Sequence, residues 1–133
     1  MTWGLLVAVC RLYGPLPLRY LALGYVEFFR GVPLLLVLSF IYFGVAPRID
    51  DWLAASGIEW HMSAVWCAIF GFGLTYAAYE SEIYRSAIES VPRGQWEAGR
   101  ALGMPEPLVF RRIVLPQALR TALGPMTNDF VAL

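Results

Sequence analysis

The stretch Met62-Ser63-Ala64-Val65-Trp66-Cys67-Ala68-Ile69-Phe70-Gly71-Phe72-Gly73-Leu74-Thr75-Tyr76-Ala77-Ala78-Tyr79 carries no charged side chain. As an α-helix rising ~1.5 Å per residue it nearly matches the ~30 Å hydrocarbon core of a bilayer. It reads as a transmembrane helix. Gly71-Phe72-Gly73 would weaken such a helix in water, whereas in lipid small residues let a neighbouring helix approach closely. The whole 133-residue chain agrees, with 59% hydrophobic residues and a mean hydropathy of +0.58, above the apolar share of ordinary soluble domains.

A second apolar run covers Val32 to Ala46. Tyr25, Val26, Phe28 and Phe29 extend it backwards past Glu27 and Arg30, which a headgroup region would accommodate. The pattern predicts spans at about 25–46 and 62–82. The run from Thr2 to Cys10 is too short to cross a bilayer and lacks the basic start and cleavage site of a signal peptide. It reads as the end of a longer helix, a partial span at about 1–13. Residues 117–133 read as the start of a further span. Both ends therefore read as truncations of one transmembrane domain over 1–133, and the expected fold class is all-α, a polytopic transmembrane helical bundle.

All ten basic residues are arginines, at 11, 19, 30, 48, 85, 93, 100, 111, 112 and 120. A chain without lysine has no Walker-type phosphate loop, so any nucleotide falls to a partner. Ten acidic residues balance the arginines, which argues against binding nucleic acid. Cys10 and Cys67 are too far apart for metal-ligand spacing and lie in apolar sequence, where free thiols pack as small hydrophobes. One histidine, His61, with two distant cysteines makes no metal site, and no nucleophile with a base and an orienting residue can be nominated. No cofactor is expected and the chain does not read as an enzyme.

Arginine placement sets an orientation. The segment Arg11 to Arg30 carries three arginines and Arg85 to Arg120 carries six, while Pro47 to His61 carries Arg48 alone against Asp50, Asp51 and Glu59. Two spans separate the basic segments, so both face one side, and the positive-inside rule makes that side the cytoplasm. Trp52, Trp60 and Trp66 then gather toward the outer interface, where amphipathic rings settle, the alternative being that they pack inside.

The most polar third follows the second span. Pro92 suits a helix start, and Gln95 to Leu102 contains tolerable helix formers apart from Gly99, which costs about 1 kcal/mol of helix stability relative to alanine. Gly103 is placed as a left-handed stop. Trp96, Gly99 and Gly103 share a face that a neighbour could approach closely. A second short helix is expected from Pro107 to Val114, with Pro116 then resetting the chain direction. Glu80 and Glu82 end the apolar span, where ionisable groups are costly unless paired or wetted. Glu82 and Arg85, three apart, could pair on one helix face; alternatively Glu80 or Glu82 faces a translocation path and attracts a cationic substrate group.

Glu97-Ala98-Gly99-Arg100-Ala101-Leu102-Gly103, closed twelve residues on by Leu115-Pro116 within Ile113-Val114-Leu115-Pro116, resembles the EAA loop of permease subunits in bacterial ATP-binding-cassette importers. Glu27-Phe28-Phe29-Arg30-Gly31-Val32-Pro33-Leu34-Leu35, Phe40-Ile41-Tyr42-Phe43-Gly44, Tyr79-Glu80-Ser81-Glu82-Ile83-Tyr84-Arg85-Ser86-Ala87-Ile88 and Pro92-Arg93-Gly94-Gln95 resemble the polar amino acid (histidine/glutamine/arginine-type) branch in the same order. Val32 in place of threonine and Gly99 in place of alanine depart from that pattern. The resemblance implies a multi-pass protein of the bacterial cytoplasmic (inner) membrane, paired with a second permease subunit as homo- or heterodimer. An ATP-binding cassette ATPase and an extracytoplasmic solute-binding protein would be its other partners, with an amino acid as substrate.

On this resemblance the cytoplasmic coupling loop is about 90–116. Gly94, Gln95, Glu97, Ala98, Gly99 and Gly103 would seat the ATPase, with Glu80 and Glu82 as candidates for the substrate path. Two rivals explain less. A secondary transporter or channel would carry solute without an ATPase and predicts inverted repeats, of which none is visible. A structural membrane-assembly protein would leave the arginine-rich loop to contact anionic lipid, which accounts for its charge but not for its order.

Overall fold

The computed structural model describes residues 2–131, which are helical throughout apart from short connections and contain no strand. Helix α1 spans Thr2–Tyr13, α2 Leu16–Gly31, α3 Leu34–Ser39, α4 Ala46–Ala55, α5 Ala64–Glu89, α6 Arg93–Ala101, α7 Glu106–Val109 and α8 Leu115–Val131. The all-α expectation holds. At 26 residues, α5 is about 39 Å long, and it is the axis against which α1, α2, α3 and α8 pack.

The continuous run expected over 25–46 is broken. Val32 takes an extended conformation, φ −97° and ψ 129°, as the residue before a proline is driven to do by the Pro33 ring. The chain consequently bends by 104° between α2 and the helical run Leu34–Ala55. By length and composition that bent pair is apolar enough to cross a membrane, and among the described residues no single helix is. The apolar part of α5 gives way at Glu80 to an end carrying Glu82, Arg85 and Glu89.

Two π-helical turns, Phe40–Val45 and Phe110–Val114, join α3 to α4 and α7 to α8. Each ends one residue before the position preceding a proline. The Ala46 and Leu115 amides reach back five residues, to the carbonyls of Ile41 and Phe110. A proline inside an α-helix lacks a donor and clashes with the carbonyl four residues back. The wide turn opens the helix ahead of Pro47 and Pro116 and lets it continue. Pro116 therefore does not reset the chain direction, and the short helix expected over Pro107 to Val114 is instead α7 plus a π turn running into α8. Buried positions follow the wider pitch: Val37, Ile41 and Ala46 in the first case, Val109, Val114, Ala118 and Ala122 in the second.

The packing is built on small residues. A Cβ at Gly4 would lie 2.6 Å from Glu80 Cβ, so the α1 and α5 backbones nearly touch; one at Gly71 would lie 2.5 Å from Leu38 Cδ2. Gly71 thus serves the close approach expected of it, while nothing lies within 4 Å of a Cβ on Gly73. One apolar core joins α1, α5 and α8 through Ala8, Tyr84, Ala87, Ile88, Ala118 and Ala122. A second joins Val37, Ile41, Ala46, Met62 and Cys67. Large apolar side chains cover the outside, among them Trp3, Leu35, Phe40, Phe43 and Val65, a surface that lipid or a partner would cover rather than water. Trp52, Trp60 and Trp66 belong to it, being exposed rather than packed inside.

Candidate docking site

The polar hairpin begins where α5 stops. Ser90 still bonds back to the Ser86 carbonyl, and Pro92, extended at φ −56° and ψ 137°, sits at the N-cap of α6. Helix α6 starts two residues earlier than Gln95. It ends in a complete Schellman motif, with Met104 N–H on the Gly99 carbonyl at 3.2 Å and Gly103 N–H on the Arg100 carbonyl at 2.9 Å. Gly103 has φ +74°, the left-handed stop its sequence position predicts.

The inner face of α6 is spent on its own chain. Gly99 is buried, and a Cβ there would stand 2.8 Å from both γ-carbons of Val109 and 3.2 Å from Ile113 Cδ1. The predicted docking residue Gly99 is therefore closed to direct contact by α7 and the following π turn. Trp96 lies in a three-ring cluster, 6.3 Å from Phe110 and 6.5 Å from Tyr13, with Tyr13 and Phe110 edge-on at 5.3 Å. The outer face presents Arg93, Gly94, Gln95, Glu97, Ala98 and Ala101 to the surroundings, and Gly103 is exposed beyond its end. Gln95 Oε1 accepts only a long bond, 3.4 Å, from Gln117 Nε2. Among the described residues no ion-pair or hydrogen-bond partner is seen for Glu97. Arg100 and Glu106 approach to 3.5 Å but are both exposed, which makes the pair worth little.

The acidic residues ending the apolar part of α5 are placed differently. Glu82 accepts hydrogen bonds from Arg11 Nη1 at 2.5 Å and from Arg85 Nε at 3.0 Å, and Arg30 Nη1 stands 3.8 Å away. Arg85 also donates to Glu89 at 2.5 Å. The bonded Glu82 carboxylate raises the Arg85 guanidinium above its ordinary range, so Arg85 stays charged. The Glu82–Arg85 pair expected from spacing is present. Arg11, 71 residues away in sequence, was not foreseeable from that spacing. Arg30 further rests over the Tyr79 ring, 5.8 Å from its centre. Glu80 is half-buried beside Gly4 of α1. Two cavities of about 600 and 460 Å³ are lined by apolar side chains, and neither Glu80 nor Glu82 lines them. His61, to which the sequence gives no role, stands 3.6 Å from Asp50 on the surface.

The whole chain, residues 1–133, matches the family of binding-protein-dependent transport system inner membrane components. It belongs to that family. A probable amino-acid ABC transporter permease protein of Bacillus subtilis is 46% identical over 94% of this chain and 51% of its own length. An L-cystine transport system permease protein of the same organism is 38% identical over the full chain and 53% of its own length. The crystal structure of an amino acid ABC transporter with histidines superposes with a TM-score of 0.79 at 30% identity, over 98% of this chain and 56% of the other. The chain thus spans about half the length of the relatives it matches. The hairpin of α6 and α7 overlaps the stretch from Glu97 to Pro116 that carries the EAA-like pattern of this sequence.

Proposed function

We propose that the chain is part of the membrane-spanning permease of an ATP-driven amino acid importer, with α6 as the coupling helix that docks an ATP-binding cassette ATPase from the cytoplasm. The carrying observation is the division of α6 into two faces. Its inner face is fixed by Gly99 and the ring cluster, while its outer face offers Gly94, Gln95, Glu97 and Ala98, with Gly103 beyond the end. Small residues around one carboxylate let a partner backbone come close, and a short helix pinned at both ends transmits a rigid-body displacement. A second permease subunit, an extracytoplasmic solute-binding protein and an amino acid substrate complete the assembly in the inner membrane. In this reading the ends of α1, α2 and α5 that carry Arg11, Arg30 and Arg85 lie at the cytoplasmic boundary. Glu82 holds α1, α2 and α5 together rather than facing substrate, because two arginines already use its carboxylate oxygens.

Glu97 carries the test. It sits in the second turn of α6, beyond the end where a carboxylate gains from the helix dipole, so a merely local role is worth at most about 0.3–1 kcal/mol. Removal of an interface carboxylate leaves a partner donor unpaired and costs about 2–5 kcal/mol of binding. Glu97→Ala in the full-length, detergent-solubilised permease should weaken its affinity for the ATPase subunit by about thirtyfold or more. A loss below about fivefold returns Glu97 to the local role.

A further inference from the structure

Two covalent links tie the coupling hairpin to the long helices: the short connection from α5, and the π turn into α8. A third link is non-covalent and comes from the other end of the sequence. Tyr13, the last residue of α1, sets its ring edge-on to Phe110 at 5.3 Å and 6.5 Å from Trp96. It thereby touches one residue of α6 and one of the turn that follows α7. We propose that the end of α1 is a transmission strut of the coupling hairpin, in which Tyr13 is a positioning residue that passes movement of α6 into α1. The proposal rests on the reading of α6 as the coupling helix.

Three features make α1 suited to that task. It is helical up to Tyr13, with the Gly14 N–H making its last α-helical bond to the Cys10 carbonyl at 2.9 Å, and it stops there because Pro15 turns away in an extended conformation. A Cβ on Gly14 would stand 2.2 Å from that carbonyl oxygen, so only glycine permits the abrupt exit that leaves Tyr13 at the tip. The helix is also fixed laterally to α5, by the close approach at Gly4, by fully buried Ala8 and by the Arg11–Glu82 ion pair at 2.5 Å. Held against α5 along its length and resting at its tip on Trp96 and Phe110, α1 would be displaced when α6 tilts. Tyr13 is more than half exposed, so its hold on the hairpin lies in the preferred edge-on and tilted ring geometry of these contacts rather than in burial. Both of these contacts are made by the Tyr13 ring.

The test is the ATP hydrolysed per substrate molecule carried, measured with the full-length permease reconstituted with its ATPase and binding protein. Tyr13→Ala should raise that ratio about threefold or more, and Tyr13→Phe should keep the wild-type value because the ring remains. Tyr13→Leu, which keeps apolar bulk without the ring, serves where the alanine variant is poorly produced and should also uncouple. Wild-type ratios in Tyr13→Leu or Tyr13→Ala at normal abundance would overturn the strut, as would equal uncoupling by Tyr13→Phe. Absence of ATP-dependent uptake by the wild-type assembly would instead remove the importer reading on which the strut depends.

Discussion

Replacing Gly99 by alanine sets a local rule against a tertiary one. Taken as helix chemistry alone, the change should stabilise α6 by about 1 kcal/mol, since alanine is the better helix former. The fold opposes it. The added methyl would lie 2.8 Å from both γ-carbons of Val109 and 3.2 Å from Ile113 Cδ1. Val109 is fully buried, and a β-branched side chain on a helix has essentially one rotamer, so it cannot swing aside. Overpacking of this kind costs about 1–3 kcal/mol. Set against the propensity gain, the net expectation is a loss of up to about 2 kcal/mol. The sharper signature is in the double variant. Val109→Ala alone opens a cavity, whereas with Gly99→Ala the new methyl occupies part of it, so the pair should be non-additive by about 1 kcal/mol or more in the compensating direction. Denaturant titration of the purified full-length protein, followed by Trp96 fluorescence with the other tryptophans replaced, reads all four corners of the cycle. A Gly99→Ala protein at least as stable as wild type, with no coupling to Val109, would refute the packing argument.

Gly103→Val should loosen the hairpin and uncouple transport from ATP hydrolysis, because φ +74° is strained for a β-branched residue although a Cβ there meets nothing within 4 Å. Gly103→Asn, which tolerates that conformation, should retain uptake, and normal uptake by the valine variant at normal abundance counts against the stop. Glu82→Ala should lower the stability of the solubilised protein by about 1–3 kcal/mol by stripping Arg11 and Arg85 of a charged acceptor. Glu82→Gln should lose less, and an alanine variant melting like wild type would show that the cluster holds nothing together.

Much of the hairpin was legible because its determinants are local. Gly103 stops a helix through its own backbone freedom, Pro92 opens one, and Glu82 and Arg85 meet because three residues bring side chains to the same helical face. What the sequence withheld depends on segments distant in the chain. Gly99 looks like a defect until Val109 is seen resting on it. Arg11 reaches Glu82, and Tyr13 reaches Trp96 and Phe110, only because α1 packs along α5. The apolar run over 25–46 hides the 104° bend at Pro33, and Pro116 suggested a break where the helix opens into a π turn and goes on. The apolar runs gave the helices but not their direction, since hydrophobicity says that a segment is covered and not by what.

The two wide turns also carry information about chain length. Each holds one residue more than the α-helical turn it replaces, and the spacing of five between Val109 and Val114 absorbs that residue. Losing one residue between 110 and 114 would leave Val109 aligned with Ala118 and Ala122, while returning Pro116 to the α-helical geometry whose clash the wide turn relieves. The same loss elsewhere in α8 would swing everything beyond it through about 100° and bring polar side chains into the core. Between 40 and 45 the same arithmetic links Val37 and Ile41 to Ala46. These are the two places where the long helices can change length by one without losing phase.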